Sequence, residues 1–142
     1  AQALAEIGPD ARAAVEPLLV AMRDRTRGIR EPATLALLRI GKPSVSGLLG
    51  VLKEKDPDLR VLAVVALGAI GRDASDAVPA LVGALKDGNR EVRLYAARAL
   101  GRMGPVAKSA KEALTTAQKD EDPAVRSAAS EALIKIDGLS NN

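Results

Sequence analysis

Residues 56 to 71 read DPDLRVLAVVALGAIG, and no charged or strongly polar side chain occurs between Arg60 and Arg72. A helix that is apolar on all sides must be buried, inserted in a membrane or part of an interface. The stretch is shorter than the roughly 18 uninterrupted apolar residues that a membrane helix needs. Other parts of the chain, or a partner, therefore have to cover it.

The same pattern occurs four times along the chain. The four stretches begin at residues 26, 56, 89 and 122, which lie 30, 33 and 33 residues apart. The fifth position is always Arg, and the eighth and eleventh positions are always Ala. Repetition at a nearly fixed period predicts an array in which each unit buries its apolar face against its neighbours.

Each copy predicts one amphipathic helix. Leu59, Ala63, Ala66, Leu67 and Ile70 fall on one face at helical spacing. Asp56 or Asn89 before the helix can cap its free amides, and Gly41, Gly71 and Gly104 can end the helix in the first three copies. Pro32 is an exception, because it lies far enough inside its copy to delay or kink the helix.

A second helix is predicted between successive copies, most clearly in AVPALVGALKD, residues 77 to 87. The same apolar stripe occurs in the segments just before the copies that begin at residues 26 and 56. It is not kept in the last unit. There, Lys111, Thr115 and Gln118 occupy stripe positions, so we expect this helix either to bury less surface or to rotate toward Ala110, Ala113 and Ala117, and to be the weakest element.

The composition excludes several kinds of chemistry. The chain has 142 residues, of which 47% are apolar, but Tyr95 is its single aromatic residue, so the core is expected to be aliphatic. It contains neither Cys nor His, which excludes disulfides and zinc-thiolate sites. The net charge of +3 is too balanced for a dedicated nucleic-acid protein. The sequence shows no signal peptide and no membrane span, which favours the cytoplasm.

The alternation of a DPxVRxxAxxALGxIG helix with an AVPALxxALKD helix resembles HEAT repeats of the bacterial and archaeal type, often called phycobilin-lyase-like HEAT repeats. The resemblance covers nearly the whole chain. It implies an all-α fold, a right-handed α-solenoid of antiparallel helix pairs whose second helices line a concave surface. It also implies a scaffold or binding module.

The resemblance implies one domain over residues 1–142. Its units are expected at approximately 1–25, 26–55, 56–88, 89–121 and 122–142, of which the first and last are partial. Partial units at both ends suggest either a piece of a longer array or natural ends trimmed for capping. The regular spacing also resembles designed arrays, although the 30-residue unit and the degenerate last copy favour a natural sequence.

An acid precedes each invariant arginine by six residues. The pairs are Asp24 and Arg30, Glu54 and Arg60, Asp87 and Arg93, and Asp120 and Arg126. A catalytic group would need one copy to stand apart from the others, and four equal copies do not provide that. The resemblance implies instead a hydrogen-bonded ladder between successive repeats. We recognise no pattern typical of a nucleophile, a metal cluster or a phosphate loop in the sequence. We therefore predict no enzyme activity, no catalytic residue, no metal and no cofactor.

Two surfaces are candidates for binding a protein partner of unknown identity, and no membrane contact is predicted. The presumed concave surface carries small residues that can either accommodate curvature or form a shallow groove. Its candidate contact residues are Val20, Gly47, Gly50, Val51, Ala80, Gly83, Ala84, Ala113 and Thr116.

The convex side is the second candidate. If the stripe through Leu59 faces inward, an apolar patch faces outward on adjacent first helices, where it can serve self-association or a partner. The alternative is that these are scattered exposed apolar side chains, which are common on monomers and have no function. The patch residues are Leu35, Leu38, Val61, Val64, Val65 and Leu94.

A local excess of basic residues between 90 and 111 gives an alternative function, electrostatic binding of nucleic acid or another polyanion. Glu91 and Glu112 offset only part of this charge. Nucleic-acid binding is the less favoured interpretation, because Tyr95 is the one side chain available for stacking on bases. The candidate anion-binding residues are Arg90, Arg98, Arg102, Lys108 and Lys111.

Overall fold

In the computed structural model, residues 9–138 are described, and this range contains α-helices, short 3-10 helices and no strand. The α-helices are α1 (Pro9–Met22), α2 (Arg27–Ile40), α3 (Lys42–Val51), α4 (Pro57–Ile70), α5 (Val78–Ala84), α6 (Arg90–Met103), α7 (Lys111–Ala117) and α8 (Pro123–Ile136). The 3-10 helices Gly71–Ala77 and Gly104–Ala110 lead into α5 and α7. The predicted all-α solenoid is confirmed. The stretch AQALAEIG, residues 1 to 8, lies outside the described residues.

The predicted start and stop residues act locally as expected. The side chain of Asp56 accepts a hydrogen bond from the amide of Asp58, and that of Asn89 accepts from Glu91 and Val92. Gly71 ends α4 with φ 76°, a conformation that other residues rarely adopt. Pro32 does not delay its helix, since α2 already begins at Arg27. The expected delay was therefore wrong.

The first helices of the units, α2, α4, α6 and α8, pack side by side in chain order. Each second helix, namely α1, α3, α5 or α7, packs against the first helix that follows it. Helix α4 therefore lies between α2 and α6 and has α3 behind it. This arrangement explains its apolar sequence, because three of its sides face other helices.

Two residues of the predicted convex patch are not on the surface. Val64 is fully buried and Leu94 is 8% exposed. Val64 precedes Gly68 by one helical turn, and Gly68 directly faces Ala99 of α6. Leu94 lies on α6, which packs against α4 on one side and against α8 on the other, where Gly101 faces Ala132. A helix in this array has a neighbour on each side, so residues opposite the inner stripe are partly interior.

Glycine allows the first helices to approach closely. A Cβ atom added at Gly68 would lie 2.8 Å from both Cα and Cβ of Ala99. At Gly101 it would lie 3.0 Å from Cα of Ala132. Real Cβ atoms do not approach to 2.8 Å, so any larger residue at position 68 must push α4 and α6 apart.

Gly68→Ala is therefore expected to lower the free energy of unfolding by about 1 to 3 kcal/mol, the usual result of overpacking. Gly83 is a matched control, because nothing lies within 4 Å of a Cβ added there. Gly83→Ala should raise the free energy of unfolding by about 0.4 to 1 kcal/mol through the lower entropy of the unfolded chain. Urea titration measures both changes. An unchanged or higher stability for Gly68→Ala would contradict the close packing of α4 on α6.

The core is aliphatic, as the composition predicts. The twelfth position of the pattern, Leu37, Leu67 and Leu100, is fully buried in three copies, while Leu133 is half-buried. In α7 the buried residues are Leu114 and Ala117, whereas Thr115 and Gln118 are exposed, so this helix buries less of the predicted stripe than α5 does. The short second unit differs in its connection, because α2 and α3 are joined by Gly41 without an intervening 3-10 helix.

Candidate functional site

The arginines of the repeats form a ladder with carboxylates and main-chain carbonyls. Arg60 donates from Nε and Nη2 to the two carboxylate oxygens of Asp87, at 2.9 and 3.1 Å. Its Nη1 donates to the carbonyls of Glu54 and Lys55 at 2.8 and 2.9 Å. One guanidinium thus connects the end of the preceding second helix to the end of the following one.

The next arginine repeats this geometry. Arg93 donates from Nε and Nη2 to the carboxylate of Asp120 at 2.9 and 3.3 Å, and from Nη1 to the carbonyl of Asp87 at 2.9 Å. The side chains of Arg93 and Asp120 are only 10% and 12% exposed. The ladder was expected from the resemblance, but the side chains that pair lie 27 residues apart. An acid six residues before an arginine offers its carbonyl instead.

The ladder changes at both ends. The Nη1 atom of Arg30 lies 3.5 Å from a carboxylate oxygen of Asp56, a longer contact than those of Arg60 and Arg93. In the C-terminal copy Arg126 donates to the carbonyls of Asp120 and Glu121, and no carboxylate within residues 9–138 pairs with it. The repeated acids and arginines therefore connect successive helix pairs.

Asp122 combines a cap with an ion pair. Its carboxylate accepts from the amides of Ala124 and Val125 at the start of α8 and pairs with Arg90 of α6. The hydrogen bond from Arg90 is the main cause that lowers the pKa of Asp122 to about 2, and the two amides contribute in the same direction. Because the folded pKa lies below the ordinary value of about 3.9, the stabilisation is complete above pH 4 and disappears as the pH falls through 2.

Arg90→Gln is expected to raise the pKa of Asp122 toward its ordinary value, since the largest cause of the shift is removed. NMR titration of the Asp122 carboxyl carbon measures this directly. The variant should also lose less stability than the wild type when the pH is lowered from 4 to 2. Arg102→Gln on the same helix is a control, because Arg102 has no ion pair in the described part of the chain. An unchanged titration midpoint of Asp122 in the Arg90 variant would exclude the ion pair as the cause of the lowered pKa.

The second-helix surface consists of the outward residues of α1, α3, α5 and α7 that the sequence assigned to the concave side. Val20 is 67% exposed, and Gly50, Gly83 and Thr116 are also exposed. Gly47, Ala80, Ala84 and Ala113 are half-buried. Val51 is fully buried and was wrongly assigned, because it follows Leu48 by three residues and shares the inner stripe of α3. A hollow of about 240 Å³ between α3 and α5 is lined by Leu49, Leu52, Ala80, Gly83 and Ala84, among others.

The first-helix surface is the outward face of α2, α4 and α6. Leu35 is 44% and Val65 is 37% exposed, and they hold the same repeat position on adjacent helices. Leu38 and Val61 are half-buried, as are Leu62 and Tyr95, which the sequence did not assign to the patch. Four of the six predicted patch residues therefore reach the surface, namely Leu35, Leu38, Val61 and Val65.

The predicted basic cluster is partly neutralised. Arg90 pairs with Asp122, and Nζ of Lys111 lies 2.7 Å from a carboxylate oxygen of Asp137. Arg98, Arg102 and Lys108 are exposed, and no ion pair involves them between residues 9 and 138. The guanidinium carbon of Arg98 lies 5.4 Å from the centre of the Tyr95 ring, which is within cation–π range.

A small hollow lies between α4 and α6 on the first-helix surface. Its volume is about 170 Å³, and its lining residues are Val65, Gly68, Tyr95, Arg98, Ala99 and Arg102. Gly68 and Ala99, which contact each other directly, are both buried and belong to its lining. Tyr95 is half-buried, and its place beside Arg98 in this hollow could not be predicted from the repeat, because the depth of a groove depends on how closely the helices approach.

Two further features concern the described part of the chain. Between residues 9 and 138, no helix combines the length and the apolar character needed to cross a membrane. In the same range, no group of three or more acidic side chains is placed so that it could hold a metal ion.

Packed helix pairs joined by an arginine ladder define a helical-repeat protein. The model of the family described as HEAT repeats matches residues 45–134, and the chain belongs to this family. No curated protein matches the sequence.

Solved structures share the fold. The complex of CpcE and CpcF of phycocyanin lyase from Nostoc sp. PCC7120 matches with a TM-score of 0.78 and 24% identity over 91% of this chain and 81% of that chain. Human deoxyhypusine hydroxylase in complex with glycerol matches with a TM-score of 0.72 and 28% identity. The match covers 87% of this chain and 43% of that one, so this chain spans less than half of the enzyme. An engineered protein matches with a TM-score of 0.67 and 25% identity over 97% of this chain and 67% of that chain.

Proposed function

We propose that this chain is a non-catalytic module that binds a protein partner through the first-helix surface. The observation that carries the proposal is the apolar strip formed by Leu35 and Val65, which lie at equivalent positions on adjacent helices and are 44% and 37% exposed. Leu38, Val61 and Leu62 on the same two helices are half-buried apolar residues. Apolar side chains that are contiguous on neighbouring helices are more typical of an interface than scattered single residues are.

The rigidity of the array supports the same proposal. The strip is held by α4, which packs closely on α6 through Gly68 and Ala99. The ladder of Arg60, Asp87 and Arg93 fixes the relative positions of successive helix pairs. A surface that is ordered before binding loses less conformational entropy when a partner binds.

The other two candidate surfaces have less support. The second-helix surface exposes one large apolar side chain, Val20, and otherwise mainly small residues. The alternative of a polyanion binder is weakened because Arg90 and Lys111 are already paired with Asp122 and Asp137. The CpcE and CpcF structure is a complex of two proteins, which agrees with a protein partner here.

The proposal predicts that a charge placed on the apolar strip abolishes binding and leaves the fold intact. The probe is a set of 12-residue peptides selected on the wild-type chain from a random phage-displayed library. Leu35→Glu combined with Val65→Glu should weaken binding of these peptides at least tenfold, because apolar contacts are lost and carboxylates are placed in the interface. Both positions are partly exposed, so the unfolding midpoint should change little.

Val20→Glu is the matched control, since Val20 is also apolar and exposed but lies on the second-helix surface. Its binding should stay within about twofold of the wild type. Loss of binding in the control alone would transfer the site to the second helices. Light scattering across protein concentrations tests whether the partner is a second copy of this chain, and a strictly monomeric wild type excludes that case.

A further inference from the structure

Two residues that line the hollow between α4 and α6, Tyr95 and Arg98, differ from the residues at the same positions in the other copies. Tyr95 is the single aromatic residue of the chain, and its equivalents in the other copies are Pro32, Leu62 and Ala128. The equivalents of Arg98 are Leu35, Val65 and Glu131. Arg98 is exposed, so its departure from the repeat is not needed for packing, whereas Tyr95 is half-buried and also packs against the core.

The hollow has two chemical halves. Val65, Ala99 and the Tyr95 ring form an apolar wall and floor, and the guanidinium groups of Arg98 and Arg102 border it. No acid in the described range pairs with either arginine, whereas Arg60, Arg90 and Arg93 all have carboxylate partners. Charge complementarity therefore requires that an occupant bring an anionic group next to an apolar one.

The size of the hollow determines what kind of occupant fits. Its volume of about 170 Å³ is below the roughly 300 to 1,000 Å³ of typical small-molecule sites. It is therefore suited to a single side chain that anchors a larger partner, as central residues of protein interfaces do. It also borders the apolar strip through Val65.

From these observations we infer that the hollow binds a protein segment that inserts one apolar side chain between α4 and α6 and places a neighbouring Asp or Glu carboxylate on Arg98 and Arg102. The inference rests on the proposed function and specifies the chemistry of the partner. Tyr95 stacks under Arg98, which keeps that guanidinium over the hollow with a reduced loss of side-chain freedom on binding.

The test uses the same selected 12-residue peptides. Those that bind should share an acidic residue within a few positions of an apolar one, and replacing that acid with its amide should weaken binding about tenfold or more. Arg98→Gln with Arg102→Gln should cause a similar loss for the parent peptide and little further loss for the amide peptide. Because the chain has one Tyr and no Trp, a change in tyrosine emission on titration with peptides lacking both residues reports the surroundings of Tyr95 directly.

The control variant is Lys86→Gln with Lys119→Gln, which removes the same charge from exposed positions just after the second helices α5 and α7. It should bind within about twofold of the wild type, because general electrostatic attraction is reduced equally in both double variants. Equal losses in the two double variants would overturn the inference and favour a diffuse polyanion-like attraction.

The outcomes separate this inference from the proposed function. Binding that is lost in Leu35→Glu with Val65→Glu but retained in Arg98→Gln with Arg102→Gln would keep the proposed surface and overturn the hollow as the acidic-segment site. Selected peptides without an acid would also overturn it. A library that yields no peptide for the first-helix surface would count against both.

Discussion

Replacing Arg93 with alanine is expected to lower the free energy of unfolding by about 3 kcal/mol, one of the two largest effects among the substitutions considered. The change removes two hydrogen bonds to Asp120 and leaves that carboxylate largely buried without its partner. It also removes a donor from the carbonyl of Asp87. Secondary structure in the folded molecules should be unchanged, because every helix keeps its own backbone hydrogen bonds.

Denaturant titration of Arg93→Ala, Asp120→Ala and the double variant measures the coupling between the two side chains. Arg126→Ala is the matched control, since Arg126 makes the same type of carbonyl contacts but pairs with no carboxylate in the described range. It should cost about 1 kcal/mol. Equal losses at positions 93 and 126 would mean that the carboxylate contributes nothing. Unchanged stability with lost peptide binding would instead assign Arg93 to a binding site.

Replacing Leu67 with alanine is expected to lower the free energy of unfolding by about 2 to 5 kcal/mol, because it leaves a cavity in the core. Leu67 has 0% exposure and lies on α4, which has neighbours on three sides. Leu133→Ala is the control at the same repeat position in the last copy, where the side chain is only half-buried. Leu133→Ala should lower the free energy of unfolding by less than Leu67→Ala does. A loss below about 0.5 kcal/mol for Leu67→Ala would contradict the alignment of the repeats.

The core could be predicted because the repeat provides several independent observations of one helix. Leu37, Leu67 and Leu100 hold the same position in three copies, and all three have 0% exposure. Local signals also sufficed for the caps at Asp56 and Asn89, since a cap depends on residues two or three positions away.

Contacts between helices were predicted less well. Val64 and Leu94 were assigned to a surface because helical periodicity distinguishes an inner from an outer side, while a helix in this array has two lateral neighbours as well. The carboxylate partner of Arg93 was identified only in the structure, because Asp87 and Asp120 both satisfy the spacing of a ladder. Sequence spacing does not determine which of two acids a long side chain reaches.

The candidate site depends on geometry that periodicity does not contain. Leu35 and Val65 could be proposed as surface residues from the repeat. The hollow bordered by Tyr95 and Arg98 depends on the distance between α4 and α6, which Gly68 and Ala99 determine by direct contact. Tyr95 and Arg98 were both noted in the sequence, but their positions relative to Gly68 follow only from the packed structure.

The ladder also bears on how such a chain can grow by gene duplication. Arg93 and its carboxylate partner Asp120 both belong to residues 89–121, and Arg60 and Asp87 both belong to residues 56–88. A duplicated unit thus inherits a complete ion pair. From the unit before it, the arginine needs only main-chain carbonyls, which every amino acid has. Recombination that joins two units at this boundary therefore preserves the ladder whatever side chain stands at the junction.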